Sequence, residues 1–273
     1  MSLLPILRVT PHPMYRFAIF LWHSLFLSLF LGMTACTPST HISPQDIPLN
    51  HQASGTWREN LRQSSSPSIL FIGNSYTMGV PAVLRDIARE HGLTIQTTEV
   101  THGGWTLHQH ADSPDTLETI RRGGWDLVIL QEQSQRLSHP EPQRAKQSYP
   151  AIRKLAAEAC AVEATPVLYR TWGRLHGDPD LIKRGQPDSF SAMHERLTQG
   201  YLNAAKTAGD LPILPVGDAW AREVEAGRGQ RLYRPDGSHP TQVGIRLNAQ
   251  TIFDTCFPQF KSTDVDTSLA RQK

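Results

Sequence analysis

Short apolar runs alternate with amphipathic helical patterns along most of this chain, and this alternation constrains the fold more than any other feature. The runs are bounded by turn residues and are too short for comfortable helices, so they are interpreted as buried strands. They lie at residues 68–72, 94–100, 126–130, 166–170 and 212–216. Alternating strands and helices predict a parallel sheet covered by helices on both faces. Ligands of such sheets bind beyond the carboxyl ends of the strands, so we expect the functional residues there.

The best-defined helical pattern follows the first predicted strand. Its apolar residues repeat at i, i+3, i+4 and i+7 and are Val80, Val83, Leu84 and Ile87. Pro81 lies near the start of this helix and Gly92 just past its end, as is typical of helix boundaries. Similar patterns predict helices around residues 152–159, 190–208 and 240–254.

The composition is that of a globular protein and gives no sign of a nucleic-acid partner. A chain of 273 residues with 39% apolar residues can bury a sizeable core in one domain, which excludes disorder and small disulfide scaffolds. The 27 basic residues nearly balance the 25 acidic ones. Because Arg8 and Arg16 lie in the N-terminal segment discussed next, the rest of the chain carries no net charge. A nucleic-acid-binding protein would usually show a basic surplus.

The N-terminal segment has the layout of a secretory signal peptide. An apolar run at residues 17–33 follows two arginines and precedes Thr34, Ala35 and Cys36. The tail of this segment resembles a bacterial lipoprotein signal box, which implies that residues 1–35 are removed and Cys36 is lipidated. We therefore expect an exported, membrane-anchored lipoprotein of a bacterial cell envelope. There are two alternatives. The segment could remain uncleaved as a membrane anchor, since an apolar run of about 17 residues is near the minimum length that spans a membrane. The chain could also be secreted without a lipid.

The remaining chain divides into a predicted flexible tether at residues 36–66, a folded domain at residues 67–260 and a polar tail at residues 261–273. The tether is rich in Ser, Thr, Pro and Asn and shows no sustained apolar period. Within the predicted domain, Cys160 and Cys256 allow either a disulfide bond or two free thiols, because spacing alone does not establish proximity.

Ser75 is the first candidate nucleophile. The first predicted strand ends in Gly73, Asn74 and Ser75, a few residues before the first helix. Glycine permits a tight turn, and the start of a helix favours negative charge on a nearby oxygen. A serine in such a turn is either a helix cap or a nucleophile, and only the second function requires a base.

A candidate base lies near the other end of the chain. Asp236 precedes His239 by three residues in a turn sequence that opens into the last predicted helix. One turn can bring the carboxylate to the imidazole and hold it in the tautomer that accepts a proton from a serine hydroxyl. Taken alone, the pair could also be an aspartate in a turn and a histidine near a helix start.

Together these segments resemble the SGNH/GDSL hydrolase family over roughly residues 68–255. In that family the nucleophilic serine follows the first strand and an Asp-x-x-His pair lies near the C-terminus. The resemblance implies a three-layer α/β/α sandwich of the flavodoxin-like type with a parallel sheet of about five strands. It also implies a catalytic triad of Ser75, His239 and Asp236, hydrolysis of an ester bond, and no cofactor.

The same resemblance implies an oxyanion hole made by the amide of Ser75, the amide of Gly104 and the side chain of Gln133. Gly103 is the alternative amide donor. The segment from Gln131 to Ser134 departs from the family's Gly-x-Asn-Asp pattern and places a longer amide, Gln133, at the asparagine position. A glutamine amide can still donate a hydrogen bond to an oxyanion.

Three further residues are candidates for substrate binding: Asn74, Arg170 and Trp172. Asn74 stands where the commoner family pattern has aspartate, and the other two follow the fourth predicted strand. Trp172 could stack on a sugar or apolar group, or could instead close the core.

A metal site is not expected, although His102, His108 and His110 lie close together in the sequence. They have no convincing carboxylate or cysteine partner. We therefore expect an exported serine esterase without a cofactor that removes acyl groups from a carbohydrate. The alternatives are an esterase of lipids or simple esters and a catalytically inactive, glycan-binding envelope lipoprotein.

Overall fold

Five strands form one parallel sheet in the computed structural model, which describes residues 56–260. The order across the sheet is β2-β1-β3-β4-β5, and each neighbouring pair is parallel. The strands are β1 (Ser68–Gly73), β2 (Gln96–Thr101), β3 (Leu127–Leu130), β4 (Thr165–Tyr169) and β5 (Ile213–Leu214). The predicted α/β fold with a central parallel sheet is confirmed.

Helices connect the strands and cover the sheet. They are α1 (Thr56–Gln63), α2 (Val80–Glu90), α3 (Leu107–Asp112), α4 (Pro114–Arg121), α5 (Glu141–Ala161), α6 (Pro179–Lys183), α7 (Phe190–Thr207), α8 (Val216–Glu225) and α9 (Gln242–Cys256). Short 3-10 helices lie at Arg136–Ser138, Gly229–Leu232 and Pro258–Phe260. The side chains of Ser189 and Thr241 accept hydrogen bonds from the backbone at the starts of α7 and α9, which explains where these helices begin.

The sheet separates two hydrophobic clusters because successive side chains of a strand point to opposite faces. In β1, Ile69 and Phe71 belong to the cluster that includes residues of α2 and α9, whereas Leu70 and Ile72 belong to the cluster that includes residues of α5 and α7. Both faces of β1 are therefore covered, which explains why this strand is apolar throughout instead of alternating. The fold therefore has three layers, helices on each face of a central sheet. The loops at the carboxyl ends of the strands are not covered by these helices and carry the candidate functional residues.

Helix α1 corrects the predicted boundary of the tether. Residues 36–66 were predicted to be flexible, but Thr56–Gln63 form a helix whose Trp57 and Leu61 are buried in the hydrophobic core. Arg58 Nε also donates a hydrogen bond of 2.8 Å to the carbonyl oxygen of Thr255. Two buried residues at i and i+4 are enough to attach a short helix, although they do not make a sustained periodic pattern. The folded region therefore begins before residue 67.

The predicted signal peptide (residues 1–35), the lipidation site at Cys36 and the predicted polar tail (residues 261–273) lie outside the described residues. Between residues 56 and 260, the structure contains no helix that is both long enough and apolar enough to span a membrane. Cys160 and Cys256 are free thiols, so the second of the two cysteine alternatives applies. Burial raises the pKa of the Cys256 thiol to about 12.

Candidate active site

The turn after β1 presents Ser75 at the carboxyl end of the sheet. Gly73 ends the strand, and a Cβ at this position would lie only 2.5 Å from Gln131 Oε1 and 2.6 Å from Thr77 Oγ1. The backbone then turns, with the Thr77 amide donating a 2.9 Å hydrogen bond to the carbonyl oxygen of Asn74. The amide of Ser75 has no hydrogen-bond partner within residues 56–260. Glycine is therefore required at position 73, because any larger residue would clash with the side chains of Gln131 and Thr77. The amide of Ser75 remains available to a ligand.

Ser75, His239 and Asp236 come together although Ser75 and His239 are 164 residues apart in the sequence. Ser75 Oγ lies 2.9 Å from His239 Nε2, and His239 Nδ1 lies 2.6 Å from Asp236 Oδ2. A continuous hydrogen-bonded path thus runs from the hydroxyl through the imidazole to the carboxylate. Such a path can take a proton from the serine and stabilise the charged ring that results.

The backbone around Asp236 keeps its carboxylate ionised. Asp236 Oδ1 accepts hydrogen bonds from the amides of Ser238 (2.9 Å) and His239 (3.0 Å). Burial acts to raise the pKa of Asp236, but these amides and the His239 ring outweigh it and lower the pKa below its ordinary value. Both triad side chains in this turn remain partly exposed, 36% for His239 and 47% for Asp236, so a substrate can reach them.

Tyr76 supports the turn that carries His239. Its ring meets the imidazole edge to face at a centroid distance of 5.4 Å, and its hydroxyl lies 2.5 Å from Ser238 Oγ. Burial raises the pKa of Tyr76, so the hydroxyl stays protonated and can donate to Ser238. Tyr76, which follows the candidate nucleophile Ser75, therefore positions Ser238, which precedes the candidate base His239.

Trp172 belongs to the core and does not line the substrate site. Its ring is fully buried between Tyr76, at a centroid distance of 4.6 Å, and Trp220, at 4.0 Å, with both pairs nearly parallel. Its Nε1 donates to the carbonyl oxygen of Ser238 at 3.2 Å. The predicted stacking of Trp172 on substrate is therefore wrong. The alternative prediction, that Trp172 closes the hydrophobic core, is confirmed.

The predicted substrate contacts of Asn74 and Arg170 are also wrong. Asn74 is buried, its Oδ1 accepts from the amide of Tyr76 (3.1 Å) and its Nδ2 donates to the carbonyl oxygen of Trp105 (2.8 Å). Arg170 is buried and pairs with Asp218 on α8. Asn74 is hydrogen-bonded to protein groups at both ends of its amide and ties the nucleophile turn to the loop after β2, and Arg170 is held by its ion pair with Asp218.

The loop after β2 presents Gly104. The amide of Trp105 donates to the carbonyl oxygen of His102 (3.1 Å), which closes a four-residue turn with Gly104 at its third position and a φ of 73°. That conformation favours glycine. A Cβ on either Gly103 or Gly104 would meet nothing within 4 Å, so this loop is open. The Gly104 amide has no partner within the described part of the chain and is available to a ligand.

Gln131 and Glu132 connect the loop after β3 to the other two loops. Gln131 Oε1 accepts from the amide of Asn74 (2.8 Å) and from Thr77 Oγ1 (2.9 Å). Glu132 Oε1 accepts from the amides of Leu107 (3.0 Å) and Gln133 (2.7 Å). Two consecutive side chains therefore fix the relative positions of the nucleophile turn, the Gly104 loop and Gln133.

The amide group of Gln133 has a defined orientation. Its Oε1 accepts from the amide of Gln135 at 2.9 Å, and because a backbone N–H only donates, the atom facing it must be the oxygen. Gln133 Nε2 takes part in no hydrogen bond within residues 56–260. The donor end of Gln133 is thus free, as an oxyanion-binding role requires.

Arg174, which no sequence pattern singles out, holds the same loop from the β4 side. Its guanidinium donates to Ser134 Oγ (3.0 Å) and to Gln135 Oε1 (2.9 Å). Arg174 lies in the same segment after β4 as the predicted substrate-binding residues Arg170 and Trp172. No local signal distinguishes these three residues, because the orientation of each depends on a different distant partner: Asp218 for Arg170, Trp220 for Trp172, and the loop after β3 for Arg174.

Of the three clustered histidines, His110 is a supporting residue of the site. His110 Nε2 donates to the carbonyl oxygen of Gly73 (2.9 Å), and its Nδ1 accepts from Thr116 Oγ1 (3.0 Å). Burial lowers the pKa of His110 to about 4, so the ring is neutral. His108 instead faces Asp112 at the surface. In the described region, no group of three or more His, Cys, Asp and Glu side chains could hold a metal ion.

Comparison with known proteins identifies relatives by structure. No family model matches the chain, and no curated protein matches it. A protein from Slackia heliotrinireducens described as a candidate SGNH hydrolase is 28% identical, with a TM-score of 0.55 over 70% of this chain and 98% of that one. A DUF4886 family protein from Bacteroides uniformis is 18% identical, with a TM-score of 0.61 over 74% of this chain and 89% of that one.

A third solved structure is a variant of an acetyl-xylooligosaccharide esterase from a Geobacillus species. It is 14% identical, with a TM-score of 0.53 over 70% of this chain and 94% of that one. At this identity the likeness concerns the fold. The predicted SGNH-type fold is confirmed by these neighbours, and the description of the Slackia protein agrees with the expected enzyme class, a hydrolase.

Proposed function

We propose that this chain is a serine esterase that uses Ser75, His239 and Asp236 as a catalytic triad. The observation that carries the proposal is the unbroken hydrogen-bonded path through these three side chains, with steps of 2.9 and 2.6 Å. Its location at the carboxyl end of β1 is where a parallel sheet of this kind places its chemistry.

In the proposed reaction, Ser75 Oγ attacks the carbonyl carbon of the ester while His239 Nε2 takes the hydroxyl proton. The tetrahedral intermediate collapses, the bond to the alcohol oxygen breaks, and His239 returns its proton to that oxygen. A water molecule then attacks the acyl-serine while His239 accepts one of its protons. The bond from the acyl carbon to Ser75 Oγ breaks, His239 returns the proton to that oxygen, and the carboxylic acid is released. Asp236 holds the ring through its Nδ1 and stabilises the imidazolium in both halves.

The oxyanion of both intermediates is proposed to bind three donors: the Ser75 amide, the Gly104 amide and Gln133 Nε2. None of the three has a partner within residues 56–260, and their loops are joined by Asn74 and Glu132. Donors held in place before the reaction stabilise developing charge without reorganising. This arrangement supports glutamine as a replacement for the asparagine of the SGNH pattern.

We propose an acylated carbohydrate as the substrate, with a lipid or simple ester as the alternative. The resemblance to the SGNH/GDSL family and the proposed export support this choice, because members of that family exported to cell envelopes often remove acyl groups from sugars. We also propose that the domain is exported and anchored through a lipid on Cys36, as the N-terminal sequence indicates.

Labelling with a fluorophosphonate probe tests the proposed nucleophile directly. The purified protein should become labelled on Ser75 and should hydrolyse 4-nitrophenyl acetate, and Ser75→Ala should do neither. Mapping the label by mass spectrometry identifies the modified residue. A folded wild-type protein that is neither labelled nor active would contradict the proposal and favour an inactive glycan-binding protein.

A further inference from the structure

The loop after β4 contacts both halves of the proposed active site. The amide of Leu175 donates a 2.8 Å hydrogen bond to the carbonyl oxygen of Gly237, in the turn that carries His239. The preceding residue, Arg174, donates instead to side chains of the loop after β3. Arg174 therefore lies where the loop of the proposed base and the loop of a proposed oxyanion donor meet.

The side chain of Gln135 is held at both ends by charged groups. Arg174 Nη2 donates to its Oε1 at 2.9 Å. Gln135 Nε2 donates to Asp178 Oδ1 at 2.8 Å and to Asp180 Oδ2 at 3.2 Å. Hydrogen bonds with a charged partner are about twice as strong as those between neutral groups. The guanidinium and the two carboxylates therefore fix this amide in one position.

Gln135 in turn orients the donor group of Gln133. The backbone N–H of Gln135 donates to Gln133 Oε1 at 2.9 Å. A carboxamide is planar, so holding its oxygen also directs its nitrogen. Arg174 Nη2 donates to Ser134 Oγ at 3.0 Å as well, and Ser134 is the residue between the two glutamines. The position of Gln133 Nε2 thus depends on the segment that Arg174 holds.

The replacement of asparagine by glutamine makes this support necessary. Gln133 is only half-buried, and its side chain has one rotatable bond more than the asparagine of the SGNH pattern. A longer side chain loses more rotamer freedom when it is ordered. An oxyanion donor is effective only when it is in place before the charge develops. Glutamine at this position therefore needs a restraint that the shorter asparagine does not.

Arg174 also lies near a residue that supports the base. Burial raises the pKa of Tyr76, and the charge of Arg174 opposes this shift. The Tyr76 hydroxyl is already 2.5 Å from Ser238 Oγ, and that contact does not involve Arg174. Loss of Arg174 should therefore leave the turn that carries His239 in place.

We infer that Arg174 is a positioning residue for Gln133, a role that rests on the proposed esterase function. Through Ser134 and Gln135 it holds the Gln133 amide with Oε1 on the backbone and Nε2 free to bind the oxyanion. Arg174 itself does not touch the reacting atoms. Its restraint is what allows a glutamine to serve where the SGNH pattern has an asparagine.

The first test compares Arg174→Met with Arg136→Met. Arg136 is the matched control, because it follows Gln133 by three residues but its Nη1 donates to Gln147 Oε1 on α5. With 4-nitrophenyl acetate, Arg174→Met should lower kcat about tenfold and change KM by less than about twofold, because the donor acts mainly in the transition state. Arg136→Met should change neither by more than about twofold. Arg174→Lys, which keeps the charge and a donor, should restore most of the lost kcat.

A double-mutant cycle tests whether Arg174 acts through Gln133. In a Gln133→Ala background, Arg174→Met should lower kcat by less than about a further twofold, because the group that Arg174 positions is gone. The pH dependence of kcat/KM should be the same for wild type and Arg174→Met. An unchanged kcat in Arg174→Met, equal losses in both backgrounds, or a shifted pH profile would overturn the inference and leave the esterase intact.

NMR of the side-chain amides follows Gln133 whether or not the protein hydrolyses esters. The pair of signals missing from Gln133→Ala belongs to Gln133; it should move towards the position of an unrestrained glutamine in Arg174→Met and stay in place in Arg136→Met. If Arg174→Met does not fold, Gln135→Leu removes the same contact, keeps the backbone N–H and should shift the same pair. An unmoved pair would overturn the inference. A moved pair in a protein without Ser75-dependent hydrolysis would support the positioning role and contradict the proposed function.

Discussion

The buried His110 should make the protein sensitive to moderate acid. In the folded protein its pKa is about 4, against 6.5 for an ordinary histidine, because burial disfavours the charged ring. Its Nδ1 also accepts a hydrogen bond from Thr116, which a protonated ring cannot do. Above pH 6.5 the ring is neutral in both the folded and the unfolded chain, and its contribution to stability is complete.

As the pH falls from 6.5 towards 4, the unfolded chain takes up a proton at this residue and the folded chain does not. The folded state therefore loses stability across this window, and His110 adds no further loss below it. At about 1.4 kcal/mol per pH unit, the difference between the two pKa values corresponds to about 3 kcal/mol. This is a large share of the roughly 5–15 kcal/mol typical of a folded domain.

His110→Gln is the matched variant, because a glutamine Nε2 can reach the carbonyl oxygen of Gly73 and does not titrate. Urea unfolding at pH 7 and pH 4 should show that the wild type loses about 3 kcal/mol more of its free energy of unfolding than the variant does. NMR titration of the His110 ring should show no protonation until the pH approaches 4. A ring that titrates near 6.5, or equal losses for both proteins, would refute the reasoning.

Three other outcomes are expected. Ser75→Ala and His239→Ala should each lower ester hydrolysis by about 10⁴-fold without loss of the folded circular-dichroism spectrum; activity within a few-fold of wild type in soluble Ser75→Ala would exclude this nucleophile. Gln133→Ala should lower kcat by about 10²-fold with little change in KM, because the donor acts mainly in the transition state; a change in KM alone would make Gln133 a substrate-binding residue. In a bacterial host fed labelled fatty acid, the full chain should incorporate the label and Cys36→Ser should not, whereas intact mass showing residues 17–33 still attached would rule out lipoprotein processing.

Local sequence patterns were sufficient to predict the parallel α/β architecture and to mark Ser75, Asp236 and His239 as candidates, whereas their combination into a triad followed from the resemblance to the SGNH/GDSL family. Strand and helix periods are properties of neighbouring residues, so the alternation that begins at β1 was visible without any long-range contact. Asp236 and His239 are three residues apart, and a turn brings them together regardless of the rest of the fold. The place of Ser75 between a strand and a helix was visible in the same way, although that place fits a helix cap as well as a nucleophile.

Only the tertiary structure decided what the loop side chains contact, because loops have no period from which a direction can be inferred. Asn74 and Trp172 lie in loops at the carboxyl ends of strands, yet a hydrogen bond to the Trp105 carbonyl oxygen holds Asn74 inward and stacking on Trp220 buries Trp172. Glu132 and Arg174 showed no local signal, since their partners come from separate loops. The 2.9 Å approach of Ser75 to His239 likewise depends on the sheet and helices between them, which bring two distant turns to one edge.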